Sequence, residues 1–151
     1  MSSTDPFLQR AVELSIQGST QGKGYPFGAV VVRNGTIVGE GHNQVIADTD
    51  PSAHAEIVAI RNAAKNLGTY ELADCELYTS CEPCPMCLGA IYWAKIPKVY
   101  YANTRHDAAD IGFDDALIYE EIPKPMEERK VEMVPLSKEE AMKAFELWKE
   151  K

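Results

Sequence analysis

Two short stretches hold residue types that can do metal chemistry together: His54-Ala55-Glu56 and, with its first Cys 28 positions after that Glu, Pro83-Cys84-Pro85-Met86-Cys87. One imidazole and two thiolates can hold Zn²⁺ and leave the fourth tetrahedral position open for water. Such a water loses a proton far more readily than bulk water and becomes a nucleophile at neutral pH. Two thiolates formally cancel the charge of the ion, so this acidification is weaker than three imidazoles would give, and a nearby base must help. Glu56 can reach the same pocket if the segment opens a helix. Its expected role is a proton shuttle, from the water to a ring nitrogen beside an amino-bearing carbon and then onto the departing amine. Ammonia leaves and a carbonyl remains.

Either half alone has a plainer explanation. His-x-Glu is common on surface helices, and C-x-x-C can be a structural or redox pair. A structural zinc site normally takes four protein ligands, and the other histidines are His42 and His106. Both halves in order, with Pro before the first Cys, match the H-x-E and P-C-x-x-C signature of zinc deaminases. A second register, Cys81-Glu82-Pro83-Cys84, overlaps the first, and the prolines decide between them. Pro83 precedes a first helical turn and Pro85 lies within it, where a missing N–H costs little. Cys84 and Cys87 then share a face, and the helix N-terminus favours thiolate over thiol. Cys81 falls upstream, at the end of a strand over 76–79, as a neighbour of the metal and not a ligand.

The elements that must position these groups follow from patterning. Asp5-Pro6 starts an amphipathic helix carrying Phe7, Leu8, Ala11, Val12, Leu14 and Ile16 and ending near Gly18. The glycine-rich run 18–24 lacks the Gly-Lys-Ser/Thr ending of a phosphate loop and reads as a flexible connection. Asn34-Gly35 between 29–33 and 36–40 predicts a type I′ hairpin. Asp50-Pro51-Ser52 prepares the helix of His54 and Glu56, which Gly68 closes. A strand at 75–79, a helix from Cys84 to about Ala94 and a strand at 98–102 follow. This alternation implies an α/β sandwich, helices on both faces of a mixed sheet, with zinc between two helix starts beyond the strand ends. Beyond 103, Ala116 to Tyr119 reads as a short strand or helix and Val131 to Leu136 as a late strand. Ser137-Lys138-Glu139-Glu140 reads as a capping box for a last helix, whose Met142, Phe145 and Trp148 need a cover from the chain's own core or from a partner subunit.

At 151 residues the chain suits a single domain over 1–151. It carries no signal peptide pattern and no run near the length of a membrane span, so a cytoplasmic location is expected. Three of the four cysteines fall within seven positions, a pattern for metal and not crosslinks; Cys75 reads as a small core residue. A formal charge of −8 disfavours a nucleic-acid partner.

The chain resembles the cytidine deaminase-like superfamily, most closely its small bacterial guanine deaminases. Residues 26–30 (Pro-Phe-Gly-Ala-Val), 50–56 and 79–87 carry the superfamily likeness, and 89–94 (Gly-Ala-Ile-Tyr-Trp-Ala) and 111–115 (Ile-Gly-Phe-Asp-Asp) carry the finer one. The resemblance implies a three-layer α/β/α sandwich with a mixed central sheet and one zinc per subunit on His54, Cys84 and Cys87. It also implies a homodimer in which the C-terminal segment, 137–151, packs on or swaps to the partner. Base contacts are expected from Asn43, Ala55, Trp93 and Asp115. Asn43 can donate and accept, Trp93 can pack on the base and Asp115 can accept from a ring N–H. Each also has a structural reading: a turn cap for Asn43, core for Trp93, a helix cap for Asp115. Phe27 and Phe113 could line the pocket or belong to the core. The relatives continue past a Phe-x-x-Trp segment to a terminal aromatic, whereas this chain stops at Trp148-Lys149-Glu150-Lys151, so the resemblance assigns no lid residue.

The leading expectation is zinc-dependent hydrolysis of free guanine to xanthine and ammonia. The alternatives are cytosine or a related base or nucleoside, adenosine in tRNA, and a structural zinc or binding module. The last leaves Glu56 and the open coordination position without a purpose, and the near-even Lys and Glu of 137–151 argue against tRNA.

Overall fold

Asp5 opens the first helix as its type and position require: its carboxylate accepts from the N–H groups of Phe7 and Leu8 at 2.9 and 3.1 Å, with Pro6 at the first helical position. The computed structural model describes residues 5–151. Helix α1 spans Pro6–Thr20, two residues beyond the expected stop at Gly18. Strands β1 (Gly28–Arg33) and β2 (Thr36–His42) are joined by Asn34 and Gly35 at φ 50° and 74°, the double positive φ of a type I′ turn. Helix α2 (Val45–Asp48) and helix α3 (Ala55–Leu67) follow, and Gly68 ends α3 in the left-handed region. Then come β3 (Cys75–Cys81), α4 (Pro85–Trp93), β4 (Val99–Asn103) and α5 (Arg105–Asp110).

The sheet has the order β2-β1-β3-β4. β1 runs antiparallel to both neighbours, and β3 and β4 are parallel across the α4 connection, so the sheet is mixed. Alternate residues of β1 feed opposite faces. Val30 and Val32 meet Leu14, Phe7 and Tyr78 under α1, while Ala29 and Val31 meet Ala55, Ala59, Leu77 and Ile91 under α3 and α4. That is the α/β/α layering expected from a strand buried on both faces. Cys75 belongs to the α3 side of the core.

Helix α3 sits unusually close to β2, because two strand positions lack side chains. A Cβ on Gly39 would meet the Ala59 carbonyl oxygen at 2.5 Å and the Ala63 nitrogen at 2.6 Å. One on Gly41 would strike the Ala55 carbonyl oxygen and the Ala59 nitrogen. The glycines therefore fix the height of α3 over the sheet, and with it the position of His54 and Glu56.

Contacts divide the chain into one compact unit ending at Asp115 and another from Ala116 to Lys151. The second holds helix α6 (Ala116–Glu121), a single 3₁₀ turn (Met126–Glu128) and helix α7 (Lys138–Lys149). Ala116 to Tyr119 is thus helical. The expected strand over Val131 to Leu136 does not form: within its own unit no second extended segment is described that could complete a ladder. The expected capping box is also absent. Ser137 precedes α7 but lies in the left-handed region at φ 57°, and its hydroxyl caps nothing; a side-chain cap needs the extended backbone that Asp5 has.

Candidate active site

His54 and Cys84 occupy equivalent places, each the N-cap residue of its helix, with φ, ψ of −70°, 156° before α3 and −69°, 170° before α4. Asp50 shapes the approach to His54 by accepting from the backbone N–H and hydroxyl of Ser52 at 2.8 and 2.7 Å, and Pro85 occupies the first helical position after Cys84. Extended backbone at both caps turns the two side chains toward one point. Cys87, one turn into α4, completes the group.

His54 Nδ1 lies 3.4 Å from the Cys84 sulfur and 3.5 Å from that of Cys87. All three donor atoms fall within 4.8 Å of one another. Tetrahedral zinc with bonds of about 2.0–2.1 Å to nitrogen and about 2.3 Å to sulfur sets those donors roughly 3.6 Å apart. The imidazole therefore already stands at the spacing from both sulfurs that zinc requires, and three protein donors leave one position open. Cys81 is outside the group: its thiol points to the Thr104 carbonyl at 3.6 Å. His42 and His106 are not part of it either.

The electrostatics separate the two cysteines. Hydrogen bonds from Cys87 and His54 pull the Cys84 thiol down to about 4, despite its burial. Cys87 is pushed up, first by its bond to the Cys84 thiolate and then by burial. Bonding to Cys84 raises His54 as well. A bound dication would take the place of these shared protons, with Cys84 and Cys87 as thiolates.

Glu56, in the first turn of α3, is only 6% exposed. Burial pushes its carboxyl up to about 7, and the Cys84 thiolate adds to the rise. A carboxyl titrating near neutrality can both take and return a proton.

Asn43 is buried at 3% exposure, and its orientation can be read from its partners. Its Oδ1 accepts from the backbone N–H of Tyr25 at 3.2 Å and of Val45 at 3.1 Å. Both lone pairs are spent, so only the Nδ2 hydrogens remain for a ligand. Toward a ligand Asn43 could act only as a donor, narrower than the donor-and-acceptor role expected from its type. Ala55 is fully buried among Ala29, Val31 and Ala59, so its methyl serves the core. As the first residue of α3 its N–H has no acceptor within the helix. Asp115 is half-buried; burial raises its carboxyl, and the Cys84 charge raises it further, which places it within electrostatic reach of the metal donors. Trp93 is the last residue of α4 and 86% exposed, so the chain by itself packs its ring neither in the core nor in a closed wall.

The sequence reading missed Tyr25. Its ring lies 5.0 Å from that of Phe113, which meets Phe27 edge-on at 5.3 Å. The run 18–24 that leads to it is no loose connection, since a Cβ on Gly24 would strike the Asn43 carbonyl. Periodicity offers no signal for a loop aromatic; the available hint was an aromatic directly after a glycine turn and ahead of Pro26-Phe27.

Comparison with known proteins agrees with this geometry. Residues 1–103 match the cytidine and deoxycytidylate deaminase zinc-binding region. The chain is 54% identical over 145 residues to a guanine deaminase of Bacillus subtilis, covering 96% of this chain and 93% of that protein. An X-ray structure of guanine deaminase from Bacillus subtilis superposes with a TM-score of 0.95 at 52% identity, over 99% of this chain and 96% of that one. A tRNA-specific adenosine deaminase of Haemophilus influenzae is 39% identical over 117 residues, 74% of this chain and 67% of that protein.

Proposed function

Since the chain belongs to the zinc-dependent cytidine deaminase-like family, and within it to the guanine deaminases, we propose that it hydrolyses free guanine to xanthine and ammonia. The observation that carries the substrate is the likeness to a guanine deaminase along nearly the whole of both chains, against a shorter and weaker likeness to a tRNA deaminase. The polar groups suit it. Asn43 offers only donors and Asp115 an acceptor, which fits a ring bearing both a carbonyl and a ring N–H. Guanine has both, and adenine has no carbonyl.

His54, Cys84 and Cys87 would hold the zinc, which when bound supplies a nucleophile from water at neutral pH. Glu56 takes the proton of the attacking water and delivers it to the ring nitrogen beside the carbon under attack. It then carries the remaining proton of the added hydroxyl to the amino group, the C–N bond breaks, and ammonia departs as that oxygen becomes the carbonyl. Asn43 donates to the base, the Ala55 N–H is available beside the first turn of α3, and Asp115 accepts from the ring. The test is turnover of guanine, guanosine, cytosine, adenine and a tRNA anticodon stem by zinc-loaded enzyme, read as ammonia and product. Guanine processed no faster than the others refutes the assignment. Glu56→Gln should keep its zinc and lose about 10²- to 10⁴-fold in kcat; near-normal turnover refutes the shuttle.

The same reading includes a cytoplasmic homodimer, with 1–151 as one functional domain and 137–151 packing on or exchanging with the partner. Exposed Leu88, Tyr92 and Trp93 on α4 and Phe145, Leu147 and Trp148 on α7 support it, because such apolar surface is normally covered. Among the described residues no helix is long and apolar enough to cross a membrane. A monomeric mass by light scattering at micromolar concentration refutes the dimer.

A further inference from the structure

We propose that Tyr25 is a positioning residue for the base: its ring braces Phe113, and through it the 111–115 loop, so that Asp115 stays set against the Asn43 side of the pocket. The proposal rests on the reading that Asp115 contacts the base.

The two loops involved are held very differently. The Tyr25 segment is tied to Asn43 from several directions. Tyr25 N–H donates to Asn43 Oδ1, Phe27 N–H donates to the Tyr25 carbonyl at 2.8 Å, and Asn43 N–H donates to the Phe27 carbonyl at 3.0 Å. Gly24 lies so close to Asn43 that no side chain fits between them. Tyr25 therefore moves with Asn43.

The 111–115 loop turns through Gly112 at φ 101° and is anchored to α5 by the Phe113 N–H on the Ala108 carbonyl at 2.9 Å. Asp115 lies two residues past that anchor. The Phe113 ring is gripped from two sides, tilted against Tyr25 at 56° and edge-on to Phe27 at 86°. Phe27 is half-buried and packs against the core. Tyr25, 39% exposed, closes the outer side of the grip. Without its ring Phe113 can swing outward, and the carboxylate that follows is no longer held at a fixed distance from the Asn43 donor. The loss falls on binding of the base; proton transfer at Glu56, on α3, is untouched.

The experiment is a double-mutant cycle with Tyr25→Ala and Asp115→Asn on the zinc-loaded enzyme, with Tyr25→Phe as the conservative variant and Tm measured for each. Loss of one aromatic contact predicts a rise of about tenfold in KM for guanine in Tyr25→Ala, with kcat within about twofold. Tyr25→Phe should restore KM, and the double variant should be no worse than Asp115→Asn alone. A lower Tm with unchanged KM, or KM losses that multiply in the double variant, overturns the proposal while leaving the role of Asp115 standing. An Asp115→Asn enzyme with unchanged KM overturns that role and the proposal with it.

Discussion

Substituting Gly41 by Ala tests whether the height of α3 above the sheet sets the metal site. The new methyl would stand 2.6 Å from the Ala59 nitrogen, where ordinary contact begins near 3.4 Å, and it would also strike the Ala55 carbonyl. Both neighbours are helix backbone, which cannot rotate aside, so the first turns of α3 must lift by roughly 0.8 Å or β2 must bow by as much. Overpacking of this kind costs about 1–3 kcal/mol, which for a chain of this size lowers Tm by roughly 3–10 °C. The displaced turn carries Glu56 and follows His54, whose Nδ1 stands 3.4 and 3.5 Å from the two sulfurs and has little slack. A misplacement near 1 Å can cost about 10²-fold in rate. Purified Gly41→Ala should therefore bind zinc less tightly in a chelator competition and lose about 10²-fold in kcat/KM even when fully loaded. Gly68→Ala supplies the control. Gly68 adopts φ 69° freely with nothing within 4 Å, so an alanine there is strained only by its own backbone; the variant should lose about 1 kcal/mol of stability and keep its activity. A Gly41→Ala enzyme with wild-type zinc affinity and kcat/KM within twofold would refute the argument.

Three further substitutions probe independent features. Cys81→Ala should retain stoichiometric zinc by metal analysis, whereas Cys87→Ser should lose it; the reverse result would restore the overlapping Cys81-x-x-Cys84 register. Arg10 on α1 grips Glu40 on β2 through two bonds of 2.7 and 3.1 Å and lowers that carboxyl. A lowered carboxyl adds stability that is complete above its ordinary value of 4.5 and is lost as pH falls through the depressed one. Both side chains are more than a third exposed, so the pair is worth under about 1 kcal/mol. Urea unfolding of wild type and Glu40→Gln should differ by that amount at pH 7 and converge in acid, and a gap that widens in acid would contradict the assignment.

Much of the site was legible because it depends on local rules. Asp5-Pro6, Asn34-Gly35, Gly68 and the prolines around Cys84 each act within a few residues of themselves, and each appears in the structure where its chemistry requires. What was illegible depends on partners far along the chain. The alternation in Val131 to Leu136 is a strand pattern, but a strand exists only where a second one accepts its hydrogen bonds. Ser137-Lys138-Glu139-Glu140 has capping-box residues, yet a left-handed φ at Ser137 withdraws the hydroxyl. The donor-only state of Asn43 follows from the N–H of Tyr25, 18 residues away, and nothing in the residue type announces it.

The helix starts reveal how the fold divides stability from chemistry. α1 and α5 begin with complete side-chain caps, Asp5 on two N–H groups and Thr104 in a reciprocal box with Asp107. α3 and α4 begin with His54 and Cys84, and neither makes a side-chain cap bond. Relative to Ser, Asp or Asn at the same places, each omission costs about 1 kcal/mol. In return, the residues with the extended backbone needed to reach outward are a metal-binding imidazole and a thiolate, and the positive ends of two helices bear on sulfur that must ionise. A capping residue at either position would strengthen its helix and remove a metal ligand in the same step. The starts of α3 and α4, which like that of α2 lack a side-chain cap, are therefore where the reaction has to be, and the close Gly39 and Gly41 packing beneath α3 is what lets an uncapped helix hold its place.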